Sequence, residues 1–272
     1  MSSFSQVSIP ETEFRMIKSS FINQEFKISI CLPHEYANGD QSYPVLYVLD
    51  GNSVFGITAE TVRLLNFFSE LQGLIIIGIG YPDVSTFMAT MGYRTRDLTP
   101  TETGWYQKDF RSSMSEAPSY SGEGGAAQFL QFLTHELKPL INTNYRTKPD
   151  DTALMGFSFG GLFGLYTLFN KPDAFKRYIL GSPSIWWDDT IINLEKEYAG
   201  NNDDLNAWLF MSVGGEEPEL MKSDMFKIAS SLKNRQFKSL EMYTHYFDGD
   251  GHMSVVPAFI SRSLREAYHL DT

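Results

Sequence analysis

The residues with the clearest chemical potential are a serine framed by glycines and a histidine near the end of the chain. Gly156-Phe157-Ser158-Phe159-Gly160 follows a short apolar run, Thr152 to Met155, and precedes a helix-forming stretch that begins at Gly161. Strand, sharp turn and helix in that order form the setting in which a serine hydroxyl is lifted above a sheet as a nucleophile. The serine must then sit in a strained backbone conformation, and side chains at positions 156 and 160 are expected to collide with neighbouring backbone. The helix that follows would aim its amino end at negative charge developing on a carbonyl oxygen. The chemistry indicated is acyl transfer.

A serine hydroxyl needs a base. Of the five histidines, His34 follows a proline in an early loop, and His135 lies on the helix before the serine. His245 sits inside an alternating strand and His269 almost ends the chain. His252 stands in Asp248-Gly-Asp-Gly-His-Met-Ser254, just past the last strand and just before the last helix. That position delivers a base to the top of the sheet, and the chain order nucleophile, acid, base is satisfied. The acid should hold the imidazole in the right tautomer. It is expected in Gly214-Gly215-Glu216-Glu217-Pro218, after the run Ala207 to Val213, with Glu217 preferred over Glu216. Oxyanion donors are expected at the Phe159 N–H and at Gly51 and Asn52, after the strand that ends at Leu49. Asp248 to Gly251 superficially resembles a calcium loop, but position twelve of that loop is Phe259 rather than glutamate, so calcium is not expected there.

The elements that must position these groups alternate along the chain. Strand-type runs are Phe26–Leu32, Tyr43–Leu49, Leu74–Gly80, Thr152–Met155, Tyr178–Gly181, Ala207–Val213 and Ser239–Phe247. Between them lie helix-type stretches at Thr58–Leu71, Ala126–Ile141, Leu162–Phe169, Ser223–Leu232 and Val256–Tyr268. Alternation of this kind predicts an α/β fold, a mostly parallel central sheet with helices on both faces. With no internal repeat or low-complexity linker, residues 1–272 read as one domain. Residues 81–125 are too long for a simple connection and read as an insertion, a lid candidate.

Bulk properties remove several alternatives. The chain has 272 residues, 42% of them apolar, and a formal net charge of −11 with no basic cluster. Phosphate binding needs a basic stripe, so nucleic acid is not an expected partner. No apolar stretch is long enough to span a bilayer, and the amino-terminal residues lack the pattern of a secretion signal, so no membrane association and a cytoplasmic location are expected. The single cysteine, Cys31, excludes an internal disulfide and reads as a small core residue. No cofactor or metal is expected, for want of a phosphate loop or ligand-spaced histidine and carboxylate pairs. Oligomeric state is not encoded in any of these features.

Several stretches also resemble a known family. Tyr43-Pro-Val-Leu-Tyr-Val-Leu-Asp-Gly51, Tyr93-Arg-Thr-Arg-Asp-Leu-Thr-Pro100 and Gly156-Phe-Ser-Phe-Gly-Gly-Leu-Phe-Gly164 are three of them. Gly181-Ser-Pro-Ser-Ile-Trp-Trp-Asp188 and Gly251-His-Met-Ser-Val-Val-Pro257 are the others. In this order they resemble the esterase family of α/β-hydrolases that contains esterase D-like and ferric-siderophore (enterobactin-type) esterases. The resemblance implies hydrolysis of a small ester or lactone through an acyl-enzyme, with Ser158 and His252 at the nucleophile and base positions. A siderophore-like substrate would be anionic. Arg94 and Arg96 could then supply cations at the pocket mouth, with Trp105, Trp186 and Trp187 as stacking surfaces. The plainer alternative is that Arg96 pairs with Asp97 to pin its segment while the tryptophans fill the core. An acyltransferase and a catalytically silent binding relative are the other readings.

Overall fold

The apolar runs become the inner strands of one sheet, each buried on both faces. The computed structural model describes residues 7–82, 87–102 and 122–269, with backbone alone at 87–89. Among these residues eight strands form the sheet: β1 Thr12–Lys18, β2 Glu25–Cys31, β3 Tyr43–Val48, β4 Ile75–Gly80, β5 Thr147–Phe157, β6 Arg177–Gly181, β7 Ala207–Gly214 and β8 Leu240–Phe247. Their spatial order is β1-β2-β4-β3-β5-β6-β7-β8. β1 with β2 and β2 with β4 are antiparallel, and all other pairs are parallel. The mostly parallel sheet expected from the alternation is therefore present.

Helices cover both faces because parallel strands need crossovers that return over the sheet. They are α1 Gly51–Phe67, α2 Phe87–Leu98, α3 over residues 126–144, α4 Phe159–Asn170, α5 Thr190–Asn201, α6 Glu219–Arg235 and α7 Val255–Tyr268. The middle of α3, Phe132–Leu137, is π-helical. Alternate strand residues divide the core. Val45, Tyr47, Ile75, Ile77, Leu154, Leu180 and Leu209 pack with α3 and α4 on one side. Leu46, Val48, Ile76, Met155, Ile179 and Phe210 pack with α1 and α7 on the other. No helix among the described residues is long and apolar enough to cross a membrane.

Three elements are not legible in the sequence pattern. β1 is an edge strand with Phe14 and Met16 exposed, so it lacks the alternation that marks a half-buried strand. α5 buries only Ile191 and Glu195, too thin a stripe to read. α2 turns polar groups inward, including Thr90, Arg94, Thr95 and Asp97, which hides its period. α1 also begins seven residues before the expected Thr58, because Asp50-Gly51 is the helix start rather than a separate turn. Asp50 takes a left-handed conformation, and a Cβ on Gly51 would lie 2.7 Å from the carbonyl carbon of Gly78. α2 lies inside the 81–125 insertion, whose carboxyl end is tied back to the end of α2 by Gly125 N–H to Arg96 O and Ala126 N–H to Thr99 O. Of the expected 81–125 lid segment, residues 83–86 and 103–121, Trp105 among them, lie outside the described residues.

Candidate active site

Ser158 occupies the turn between β5 and α4 with φ 60° and ψ −115°. A non-glycine residue there is strained by on the order of 1–3 kcal/mol and persists only where its surroundings enforce it. The enforcement is visible. Ser158 N–H donates to Gly181 O at 2.9 Å, and Ser184 N–H donates to Ser158 O at 3.1 Å. A Cβ on Gly156 would come within 2.3 Å of Gly160 O, so the strand end and the helix start touch backbone to backbone. The expected collision at Gly160 itself does not occur, since its Cβ would first meet the Leu49 side chain at 3.4 Å. The second glycine that the packing requires is Gly161, whose Cβ would lie 2.9 Å from Gly181 O and from Pro183 Cα.

His252 arrives on the loop between β8 and α7, its ring 4.9 Å from that of Phe157 and about one third exposed. Its Nδ1 lies 3.1 Å from Glu217 Oε2. A carboxylate only accepts, so Nδ1 carries the proton and Nε2 is left as the basic nitrogen. Glu217 is buried in the turn after β7, whereas Glu216 is exposed and joins the histidine loop through its backbone N–H, 2.9 Å from Asp250 O. The other Glu217 oxygen, Oε1, accepts from Ser182 Oγ at 2.5 Å and Gly214 N–H at 2.9 Å. Burial alone would raise this carboxyl, but hydrogen bonds from His252, Ser182 and Gly214 outweigh it and hold the group below its ordinary value.

Ser158 and His252 line one cavity of about 220 Å³, walled mainly by Val48, Leu49, Val54, Met91, Met155 and Phe259. In this conformation the Ser158 hydroxyl shares its hydrogen bond with Ser184 Oγ at 3.2 Å. Arg94 also lines the cavity, but as a buried group rather than a cation at the mouth. Its guanidinium grips Asp50 with Nε to Oδ1 at 2.8 Å and Nη2 to Oδ2 at 2.9 Å, and lies over the Phe159 ring. Arg96 does not line the cavity. It pairs with buried Asp97, which also accepts from Tyr81 at 3.0 Å, the plainer of the two alternatives for that residue. Trp186 is likewise outside the wall, 6.2 Å from the Phe159 ring, and Trp187 is buried core. Gly51 and Asn52 are not among the residues that line the cavity: Gly51 packs against Gly78, and the Asn52 side chain exchanges hydrogen bonds with the Tyr81 backbone. The wall at that point is Leu49 and Asp50, with Ser53 and Val54 one turn on.

Ser182, Ser184 and Asp50 touch this machinery yet carry no chemical signature of their own in the sequence. The signal for the serines was the Gly181-Ser-Pro-Ser184 run, which marks a family resemblance without disclosing what the hydroxyls hold. Among the described residues no three His, Cys, Asp or Glu side chains gather as a metal site.

Two outcomes follow from this geometry. Gly156→Ala should lose several kcal/mol of stability or fail to fold, because its Cβ meets backbone that cannot give, while Gly160→Ala should cost far less; urea unfolding of both variants separates them. The Glu217 carboxyl titrates lower when folded than when unfolded, so its contribution to stability is present above pH 4.5 and is lost as pH falls through the folded value. The stability difference between the wild-type protein and Glu217→Gln, followed by urea midpoints from pH 7 downward, should therefore shift against the wild type in acid.

Comparison with known proteins agrees with this architecture. The family model described as "Putative esterase" matches residues 19–262. The ferri-bacillibactin esterase BesA of Bacillus subtilis is 36% identical over 97% of this chain and 92% of its own length. The crystal structure of a BES protein from Bacillus cereus superposes with a TM-score of 0.85 at 29% identity, covering 99% of each chain. An IroE-like serine hydrolase from Shewanella oneidensis gives 0.79 at 26% identity, covering 94% of this chain and 79% of that one. The chain belongs to this esterase family and is a serine esterase built on the α/β-hydrolase fold.

Proposed function

We propose that this protein hydrolyses a small carboxylic ester or lactone of the siderophore type through an acyl-enzyme on Ser158. The observation that carries the reading is the buried Glu217 paired with His252 Nδ1 at the cavity that Ser158 also lines. Rotation of the serine side chain away from Ser184 would bring its proton to His252 Nε2. Attack on the ester carbonyl then gives a tetrahedral oxyanion, and the imidazolium, stabilised by Glu217, passes its proton to the leaving alcohol. Water attacks the acyl-enzyme in the second half by the same proton path.

The oxyanion forms at the amino end of α4, where the Phe159 N–H is the first donor. Neither Gly51 nor Asn52 lines the cavity, and we assign the second contribution to Arg94, which does line it and whose guanidinium is held by Asp50. The substrate class is supported by the ferri-bacillibactin esterase named above. The free, buried Cys31 suits a reducing compartment such as the cytoplasm.

Labelling with a fluorophosphonate followed by peptide mass spectrometry tests the nucleophile: a single adduct on Ser158 is expected, and folded protein without one would refute it. On a panel of ester and lactone substrates, Ser158→Ala and His252→Ala should each lose nearly all turnover, since the two act as a unit. Glu217→Ala should cost less than either, and Glu216→Ala almost nothing. Arg94→Lys keeps the charge but breaks the fork to Asp50, and should lower kcat on the order of a hundredfold, the scale of losing one oxyanion donor.

A further inference from the structure

We infer that Ser182 is a positioning residue of this esterase, holding the Glu217 carboxylate in the orientation that presents Oε2 to His252. The inference rests on the reading of Glu217 as the acid partner of His252. A carboxylate has two oxygens and can rotate about its last bond, so an acid that orients an imidazole must itself be oriented. Here Oε1 is held from two directions, by Ser182 Oγ at 2.5 Å and by Gly214 N–H at 2.9 Å, which leaves Oε2 alone toward Nδ1.

The backbone at Ser182 is built for this task. It is buried, and its φ of 41° lies in the left-handed region that glycine tolerates and serine rarely adopts. Were this position only a turn, glycine would fill it without strain; the serine brings a hydroxyl in exchange. Three further bonds make the turn rigid. Ser182 N–H donates to Ser212 O at 2.8 Å, Ser184 N–H to Ser158 O at 3.1 Å, and Ser158 N–H to Gly181 O at 2.9 Å. Pro183 lies between the two serines against Gly161 of α4. The turn after β6 thus joins the nucleophile's backbone to the acid's side chain, so that Ser158 and Glu217 are held in one frame.

The test uses Ser182→Gly and Ser182→Ala, each alone and combined with Glu217→Ala, with kcat and KM measured on an ester that the wild-type protein turns over. Glycine relieves the φ strain, so Ser182→Gly should fold at least as well as Ser182→Ala while lacking the hydroxyl. Both single variants should lose on the order of tenfold in kcat with little change in KM, the scale of one hydrogen bond to a charged group. Neither should slow the Glu217→Ala enzyme further, because the group they act through is gone. An unchanged kcat in folded Ser182→Gly would overturn the inference while leaving the Glu217 assignment intact. The same tenfold loss in the Glu217→Ala background would also overturn it, by showing that the hydroxyl acts elsewhere. A Glu217→Ala enzyme with full activity would instead remove the acid itself, and the inference with it.

Discussion

A backbone-to-backbone contact between the end of β5 and the start of α4 underlies the whole site. Where Gly156 passes Gly160 there is no room for a methyl group, and the chain can reverse into the helix only by placing Ser158 at φ 60°. Such a conformation costs energy and does not hold itself. It is held because Gly181 and Ser184, from the neighbouring strand and its turn, bond to both backbone groups of the serine. The site therefore depends on the sheet: β5 and β6 must pair in register before the strained residue has anything to be strained against.

The electrostatics follow the same rule of mutual support. The chain carries a formal charge of −11, but the charges around the site are organised in pairs. Glu217 stays ionised in the interior because three donors replace the water it loses. Asp50, close to the elbow, would by itself oppose negative charge developing on a substrate; the two-pronged grip of Arg94 compensates it, so the cavity wall carries a fixed, neutral ion pair instead of a bare carboxylate. Net charge thus says little about the field a substrate meets.

Much of this was legible in the chain. The apolar runs at Tyr43–Leu49 and Leu74–Gly80 announce strands buried on both faces, since nothing but a covered parallel sheet tolerates them. The elbow is legible because glycines with a serine between them, set between strand and helix, answer a local steric demand. His252 is legible by position, in the loop before the last helix. β1 and α5 are not, because an exposed edge strand and a helix with a thin buried stripe leave no periodic trace.

Local sterics and short-range hydrophobic period were enough to show which segments form strand or helix in the core, where a serine stands on a strained strand-to-helix turn, and which histidine lies on the loop before the last helix. Tertiary structure decided what depends on directions between distant segments. It chose Glu217 over Glu216, since the turn after β7 folds Glu217 back onto Gly214 and Ser182 and leaves Glu216 at the surface. It buried Arg94 against Asp50, forty-four positions away, instead of placing it at the cavity mouth. It also set Ser182 against Glu217, an arrangement that exists only once β6 and β7 lie side by side.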